Sequence, residues 1–135
     1  MYRPLGARQK DISTRLIKPT RPDIRIGDVL HLVRNWRSSW DLEGNIAVYD
    51  GGIAQYLLVD DRSHDIFFAS LILEKRSLRC RLVRNEPRDI LEETNNTFIL
   101  IDDYGTPNED RKKIDRLKII LSRKGYMFTD DEYYE

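Results

Sequence analysis

The sequence predicts a small α+β domain, mainly β, in which five to six strands form an antiparallel sheet or a small barrel beside one C-terminal helix. Short apolar segments separated by turn residues recur through the middle of the chain. Asp50-Gly51-Gly52 is a strong turn signal between two of them. Near the C-terminus the apolar spacing changes to that of a helix. The 135 residues fit one domain.

The predicted strands are short runs rich in β-branched and aromatic residues. They cover 26–33, 42–49, 54–59, 66–73, 78–82 and 97–101. The run 66–73 is almost continuously apolar, as expected of a strand covered on both faces. The run 78–82 alternates apolar residues with Arg79 and Arg81, so one face is apolar and the other basic. The regular spacing favours a small barrel or sandwich over a sheet with helical crossovers.

The predicted helix begins near Asn108, and Gly125 follows its last turn as the C′ residue. Ile114, Leu117 and Leu121 form its inward stripe. The single domain therefore divides into four parts, namely a basic N-terminal arm (1–25), a barrel-like core (26–84), a strand-helix-strand extension (97–128) and an acidic tail (129–135).

Charge and cysteine content narrow the functional classes. The chain has 23 Lys and Arg against 23 Asp and Glu, so a positive field over the whole protein is excluded, while a local basic surface is not. Cys80 is the one cysteine, which excludes an intramolecular disulfide and a cysteine-based zinc site. No run is apolar enough to cross a membrane, and the start lacks a secretory signal. We therefore expect a cytoplasmic protein, in its own cell or in a host cell.

The arm, residues 1–25, carries seven Lys and Arg and two Asp. Its prolines interrupt any long element, so we expect a partly extended segment. It is either a mobile, solvated terminus or a basic arm that contacts a partner, with Arg8 and Arg15 as the contacts.

A polar loop after residue 33 holds Trp36, Arg37 and Trp40. Trp and Arg are enriched at binding hot spots, and they stack on bases and pair with phosphates. The alternative is that one or both tryptophans cover the core. A second basic group comprises Lys75, Arg76, Arg79, Arg81, Arg84 and Arg88. It is either an ordinary solvated face or, together with the arm, one basic surface with Arg79 and Arg81 as contacts.

Residues 26–59 resemble a KOW motif. The parts are Gly27-Asp28 opening a strand that runs to Val33, Gly44 beginning the next strand, and a third strand, Tyr56-Leu57-Leu58-Val59, after a turn. The sequence departs from the family in its long loop with two tryptophans and in Leu42-Glu43, which replace a basic residue and a glycine. The resemblance implies an SH3-like barrel and binding to RNA, DNA or RNA polymerase.

Two apolar runs end in paired acids, Asp60-Asp61 and Asp102-Asp103. If these ends were adjacent, four carboxylates could hold Mg²⁺ for phosphodiester cleavage with His64 as a base. Asp is equally typical where a strand stops and a turn starts. Cys80 lies on the apolar face of its run, where we expect a buried, inert thiol. The chain has no phosphate-binding loop and no nucleophile motif, so we predict no enzyme, no cofactor and no metal.

The sequence thus predicts a non-enzymatic binding module that acts on DNA or RNA, or on a nucleic-acid machine such as RNA polymerase. One alternative is a protein-binding inhibitor or adaptor, of the compact kind viruses use against host enzymes. It rests on the mixed surface charge and on the acidic tail from Asp130. The other alternative is the metal-dependent nuclease.

Overall fold

The computed structural model describes residues 8–36, 46–87, 91, 95–102 and 107–129. In chain order its elements are β1 (Arg8–Ser13), a 3-10 turn (Thr14–Leu16), β2 (Ile17–Lys18), β3 (Asp23–Arg25), α1 (Ile26–Arg34), β4 (Ile46–Asp50), β5 (Tyr56–Leu58), α2 (Asp61–Ile72), β6 (Ser77–Val83), β7 (Thr97–Ile101), α3 (Asn108–Arg123) and β8 (Met127–Phe128). The predicted α+β class is confirmed, but the described part of the chain contains three α-helices instead of one.

Five strands form a sheet in the order β1-β6-β4-β5-β2. The predicted antiparallel sheet is wrong, because β4 pairs with β6, and β2 with β5, in parallel. The helix α2 links β5 to β6 and returns the chain parallel to β4, as a parallel pair requires. The sheet curls into a half-barrel. Its curvature brings Lys10 of β1 to Tyr56 of β5 across two intervening strands, with Nζ donating to the phenol oxygen at 2.8 Å.

A second, smaller sheet contains β3, β7 and β8, all parallel. Residues 8–25, the described part of the predicted arm, supply three strands to the two sheets. β1 pairs with β6 over its whole length, from Arg8 opposite Leu82 to Ser13 opposite Ser77. The arm and the basic strand thus meet side by side.

The strand predicted over 26–33 is wrong, since these residues form helix α1. Ile26, Val29 and Leu30 are buried, and their spacing of three and four residues matches one helical face. Asp28 lies in the first turn, where the helix dipole favours an acid. β-branched residues suggested a strand, but the periodicity and tertiary packing determine the helix.

The strand predicted over 66–73 is also wrong, because these residues belong to helix α2 and the residues after it. Its run from Ile66 to Ile72 is buried on all sides. A fully buried helix and a fully buried strand have the same continuous apolar sequence, so periodicity does not separate them. The missed signal is Asp60, whose carboxylate caps the helix by accepting from the Ser63 N–H at 2.8 Å.

The C-terminal helix is confirmed as α3, with Ile114, Leu117 and Leu121 buried and Gly125 at φ 101° after its end. Within the described residues, no helix combines the length and apolar character needed to cross a membrane. The core lies between the half-barrel and the helices, where Phe68 of α2 meets Phe98 of β7 edge to face, with ring centroids 5.6 Å apart.

Candidate functional site

The predicted contacts on β6 lie on a face of mixed charge. Arg79 Nε donates to Asp11 Oδ1 at 3.4 Å, and Asp11 faces Arg79 in the register of β1 and β6. Arg81 is half-buried and lines a cleft of about 480 Å³ together with Arg21, Asp60 and Glu86, among others. Acids therefore accompany both arginines.

The two predicted arm contacts lie at opposite ends of β1. Arg8 begins the strand, and Arg15 lies in the 3-10 turn beyond its end, about 20 Å away at the usual rise of a strand. Both side chains are exposed. One ligand would have to follow the whole strand to contact both, so we treat them as separate.

The tryptophan loop is described as far as Trp36, which is half-buried and packs against the core. Lys75 Nζ lies 5.7 Å from the centroid of its ring. Its indole N–H has no acceptor among the described residues. Arg37 and Trp40, the other two predicted contacts of this loop, lie outside the described residues.

Five basic side chains from three separate segments gather at one end of the half-barrel. We call this set the basic groove, and its members are Arg15, Lys18, Lys75, Arg76 and Lys124. Arg15 and Lys18 come from the turn and strand after β1, Lys75 and Arg76 precede β6, and Lys124 ends α3. Arg15, Lys18, Lys75 and Arg76 belong to the two basic groups noted in the sequence, but of these four only Arg15 was predicted as a contact.

Thr14 holds two of these segments together. Its N–H donates to the Arg76 carbonyl at 2.9 Å, and its hydroxyl lies within 3.1 and 3.2 Å of the Lys75 and Arg76 carbonyls. The side chain is buried, so these bonds are shielded from water. Ser13 Oγ accepts from the Arg15 N–H at 3.3 Å and shapes the turn. Arg15 is thereby held beside Lys75 and Arg76.

The side chains of the basic groove line two adjoining clefts. The first, about 430 Å³, lies between β2, β5 and the end of α3, and the second, about 450 Å³, lies between the 3-10 turn, the end of α2 and α3. Arg15 and Lys124 line both. The first cleft is also lined by Ile17, Pro19, Thr20, Gln55, Leu57, Leu91, Asn96, Gly125 and Tyr126.

The five cations of the basic groove form no ion pair with any described acid. Glu74 lines the second cleft, and Arg116 Nη1 donates to its carboxylate at 3.0 Å. In the first cleft, burial raises the pKa of Tyr126, so its hydroxyl stays protonated and able to donate at neutral pH. The basic groove therefore presents positive charge that the described part of the protein leaves unneutralised.

Two of the carboxylates considered for catalysis, Asp60 and Asp61, have structural roles. Asp60 caps α2, and Asp61 forms an ion pair with Arg21. His64 is buried, and its Nε2 accepts from the Thr20 N–H at 2.8 Å. Its Nδ1 lies 2.7 Å from the Asp60 carbonyl oxygen, so Nδ1 carries the ring proton and donates it to that oxygen. Among described residues no three His, Cys, Asp or Glu side chains lie close enough to share a metal. Asp103 lies outside the described residues.

Comparison with known proteins does not assign this chain to a family. No family model matches the chain, and no curated protein matches it. Among solved structures, the crystal structure of protein Atu1540 from Agrobacterium tumefaciens is similar, with 20% identity and a TM-score of 0.48. The match covers 64% of this chain and 45% of that one, so this chain matches less than half the length of that protein. A likeness at this level supports no statement about fold or function.

Proposed function

We propose that this protein is a non-enzymatic module that binds nucleic acid through the basic groove. The observation that carries the proposal is the convergence of Arg15, Lys18, Lys75, Arg76 and Lys124, from three segments, around two adjoining clefts without a described acidic partner. Phosphate contacts from Lys and Arg supply most of the affinity of such binding.

The neutral composition makes this convergence informative. Some basic side chains outside the basic groove do meet an acid, as in the Arg34–Asp110 pair at 3.0 Å. Neighbouring cations that form no ion pair repel one another, and an external anion removes that repulsion. The Thr14 hydrogen bonds hold the backbone that carries Arg15 beside the backbone that carries Lys75 and Arg76.

The shape of the basic groove favours an extended anion over a single small one. Arg15 and Lys124 are shared by both clefts, so a chain with repeated negative charge can occupy the two clefts in succession. The resemblance to a KOW motif does not carry this proposal, because Gly27 and Asp28 lie in helix α1. A protein machine such as RNA polymerase, or another protein partner, is the alternative occupant.

The test is fluorescence anisotropy of a labelled 12-nucleotide single strand, as DNA and as RNA, titrated with the purified protein at low salt. Arg15→Gln combined with Lys124→Gln removes the two cations shared by both clefts. The matched control combines Arg8→Gln with Lys112→Gln, two exposed cations that line neither cleft. Both double variants change the net charge equally.

We expect the first double variant to bind at least tenfold more weakly than the wild type, and the control to bind within about threefold of it. Equal weakening by both would indicate a general charge effect and would contradict the basic groove as the site. Absence of binding by the wild type to either strand would refute nucleic-acid recognition, and a protein partner would then be sought by cross-linking from Lys124.

A further inference from the structure

We infer that the first cleft of the basic groove accepts one unpaired base of a single strand, whose edge is contacted by the side chains of Gln55 and Asn96. The inference rests on the proposed function and specifies its ligand as single-stranded. Its basis is that this cleft combines cations, carboxamides and apolar walls, whereas the second cleft contains no carboxamide among its lining residues.

The two carboxamides are held on a fixed backbone while their side chains remain unengaged. The Gln55 carbonyl accepts from the Gly51 N–H at 2.8 Å, and the Asn96 carbonyl accepts from the Met127 N–H at 3.0 Å. Neither side-chain amide forms a hydrogen bond with a described residue. Asn and Gln amides donate and accept at once, which matches the paired donor and acceptor groups on the edge of a base.

The walls of the cleft suit the flat face of a base. Leu57 and Leu91 supply apolar surface, and Tyr126 supplies an aromatic ring. That ring is fixed by Phe98, with centroids 5.1 Å apart. Because the ring is already fixed, the protein loses little conformational freedom when a base stacks on it. Such stacking accepts any base.

The cleft excludes a duplex. A volume of about 430 Å³ is that of a small-molecule pocket and does not admit a double helix. A paired base also has its hydrogen-bonding edge occupied. Arg15, Lys18 and Lys124 at the same cleft would contact the flanking phosphates of an unstacked nucleotide.

The experiment compares three ligands on the wild-type protein by competition anisotropy. A mixed-sequence 12-nucleotide strand and the same strand with abasic sites throughout have equal phosphate number, and the third ligand, the duplex of the first strand, has twice as many phosphates. Because all three are measured on one protein, the comparison does not depend on a variant folding. We expect the base-containing strand to bind about tenfold more tightly than the abasic strand, and more tightly than the duplex.

Asn96→Gly combined with Gln55→Ala should reduce that preference at least threefold. Asn96 has φ 56°, and glycine tolerates this left-handed backbone. Asn95→Gly is the matched control, because Asn95 has φ 59° but does not line the cleft. It should keep the full preference.

Equal binding of base-containing and abasic strands would overturn the base subsite and leave the phosphate-binding groove in place. A preference that survives the double variant would overturn the role of the two carboxamides. Failure of every ligand to bind would overturn the proposed function, and the inference with it.

Discussion

Removal of the Asp65 charge is predicted to stabilise the protein at neutral pH. Asp65 lies on α2, which packs against α1, and its pKa is raised to about 6. Burial is the largest cause, followed by repulsion from Asp28, while Arg25 and Arg62 lower the pKa by less. Asp65→Asn keeps the shape of the side chain and removes the charge that burial disfavours.

The magnitude follows from the difference between the folded and unfolded states. A rise in pKa from 3.8 to about 6 corresponds to at most about 3 kcal/mol. Because part of the carboxylate remains in contact with water, screening reduces this, and we expect Asp65→Asn to raise the free energy of unfolding by about 1–2 kcal/mol at pH 8.

The sign of the pH dependence is set by the raised folded pKa of Asp65. The folded state binds more protons than the unfolded state, so the penalty is fully present above the folded pKa of about 6 and disappears as the pH falls below the unfolded value of 3.8. The advantage of Asp65→Asn should fall to about half at pH 5 and about a fifth at pH 4.

Urea unfolding followed by circular dichroism at pH 8, 6, 5 and 4 measures this advantage, with the same dependence on urea concentration for both proteins. Asp115→Asn, an exposed change on α3, is the control and should stay within about 0.5 kcal/mol of the wild type at every pH. An advantage of Asp65→Asn that is constant with pH, or a loss at pH 8, would refute the reasoning.

Three further predictions concern the packing around the basic groove and α3. Thr14→Val removes the hydroxyl that bonds the Lys75 and Arg76 carbonyls, so it should lower the free energy of unfolding in urea by about 1–2 kcal/mol and weaken single-strand binding. Glu74→Gly relieves a φ of 59° and removes an acid from the second cleft, so it should raise the free energy of unfolding by about 0.5–1 kcal/mol and tighten binding. The hydrogen bond from Arg34 is the largest cause holding the pKa of Asp110 below its usual value. Arg34→Gln should therefore lower stability at pH 7, and by less as the pH falls below about 4, in the same urea assay.

Each of these predictions has a contrasting variant or condition. Thr14→Ser keeps the hydroxyl and should lose less stability than Thr14→Val. Glu74→Ala removes the acid but keeps a side chain in the left-handed region, so a stability gain equal to that of glycine would contradict the backbone explanation. A stability loss in Arg34→Gln that is the same at pH 3 and pH 7 would contradict the ion pair as its cause.

The sequence was sufficient to predict a secondary-structure element where its residue pattern is specific to a strand or to a helix. The strands around Ile46–Asp50, Tyr56–Leu58, Ser77–Val83 and Thr97–Ile101 and the helix beginning at Asn108 were predicted correctly. Alternation in β6 and a helical stripe ending at glycine in α3 each exclude the other kind of element.

The sequence was insufficient to predict an element where complete burial removes the alternation of apolar and polar residues. It was also insufficient to predict which distant segments pair in the sheet. The apolar run of α2 is compatible with a buried strand, and α1 was misassigned from residue type although its spacing is helical. The parallel pairing of β4 with β6 depends on the crossover through α2, so this misassignment also produced the wrong sheet.

The sequence predicted some residues of the candidate site, but their proximity depends on contacts between distant segments. The two basic groups were visible in the sequence, and their proximity follows from the β1–β6 pairing and the Thr14 hydrogen bonds. Lys124 was not predicted as part of the site, because no sequence signal indicates that the end of α3 lies beside Arg15. Arg79, by contrast, contacts Asp11, its neighbour across the strands.

The salt dependence of single-strand binding tests the central claim most directly. If all five cations of the basic groove contact phosphates, log Kobs should fall linearly with log[salt] with a slope of about −3.5, and Arg15→Gln combined with Lys124→Gln should reduce its magnitude by about 1.4. The control with Arg8→Gln and Lys112→Gln should keep the wild-type slope. A slope near zero, or one that the two double variants reduce equally, would contradict the basic groove as a nucleic-acid site.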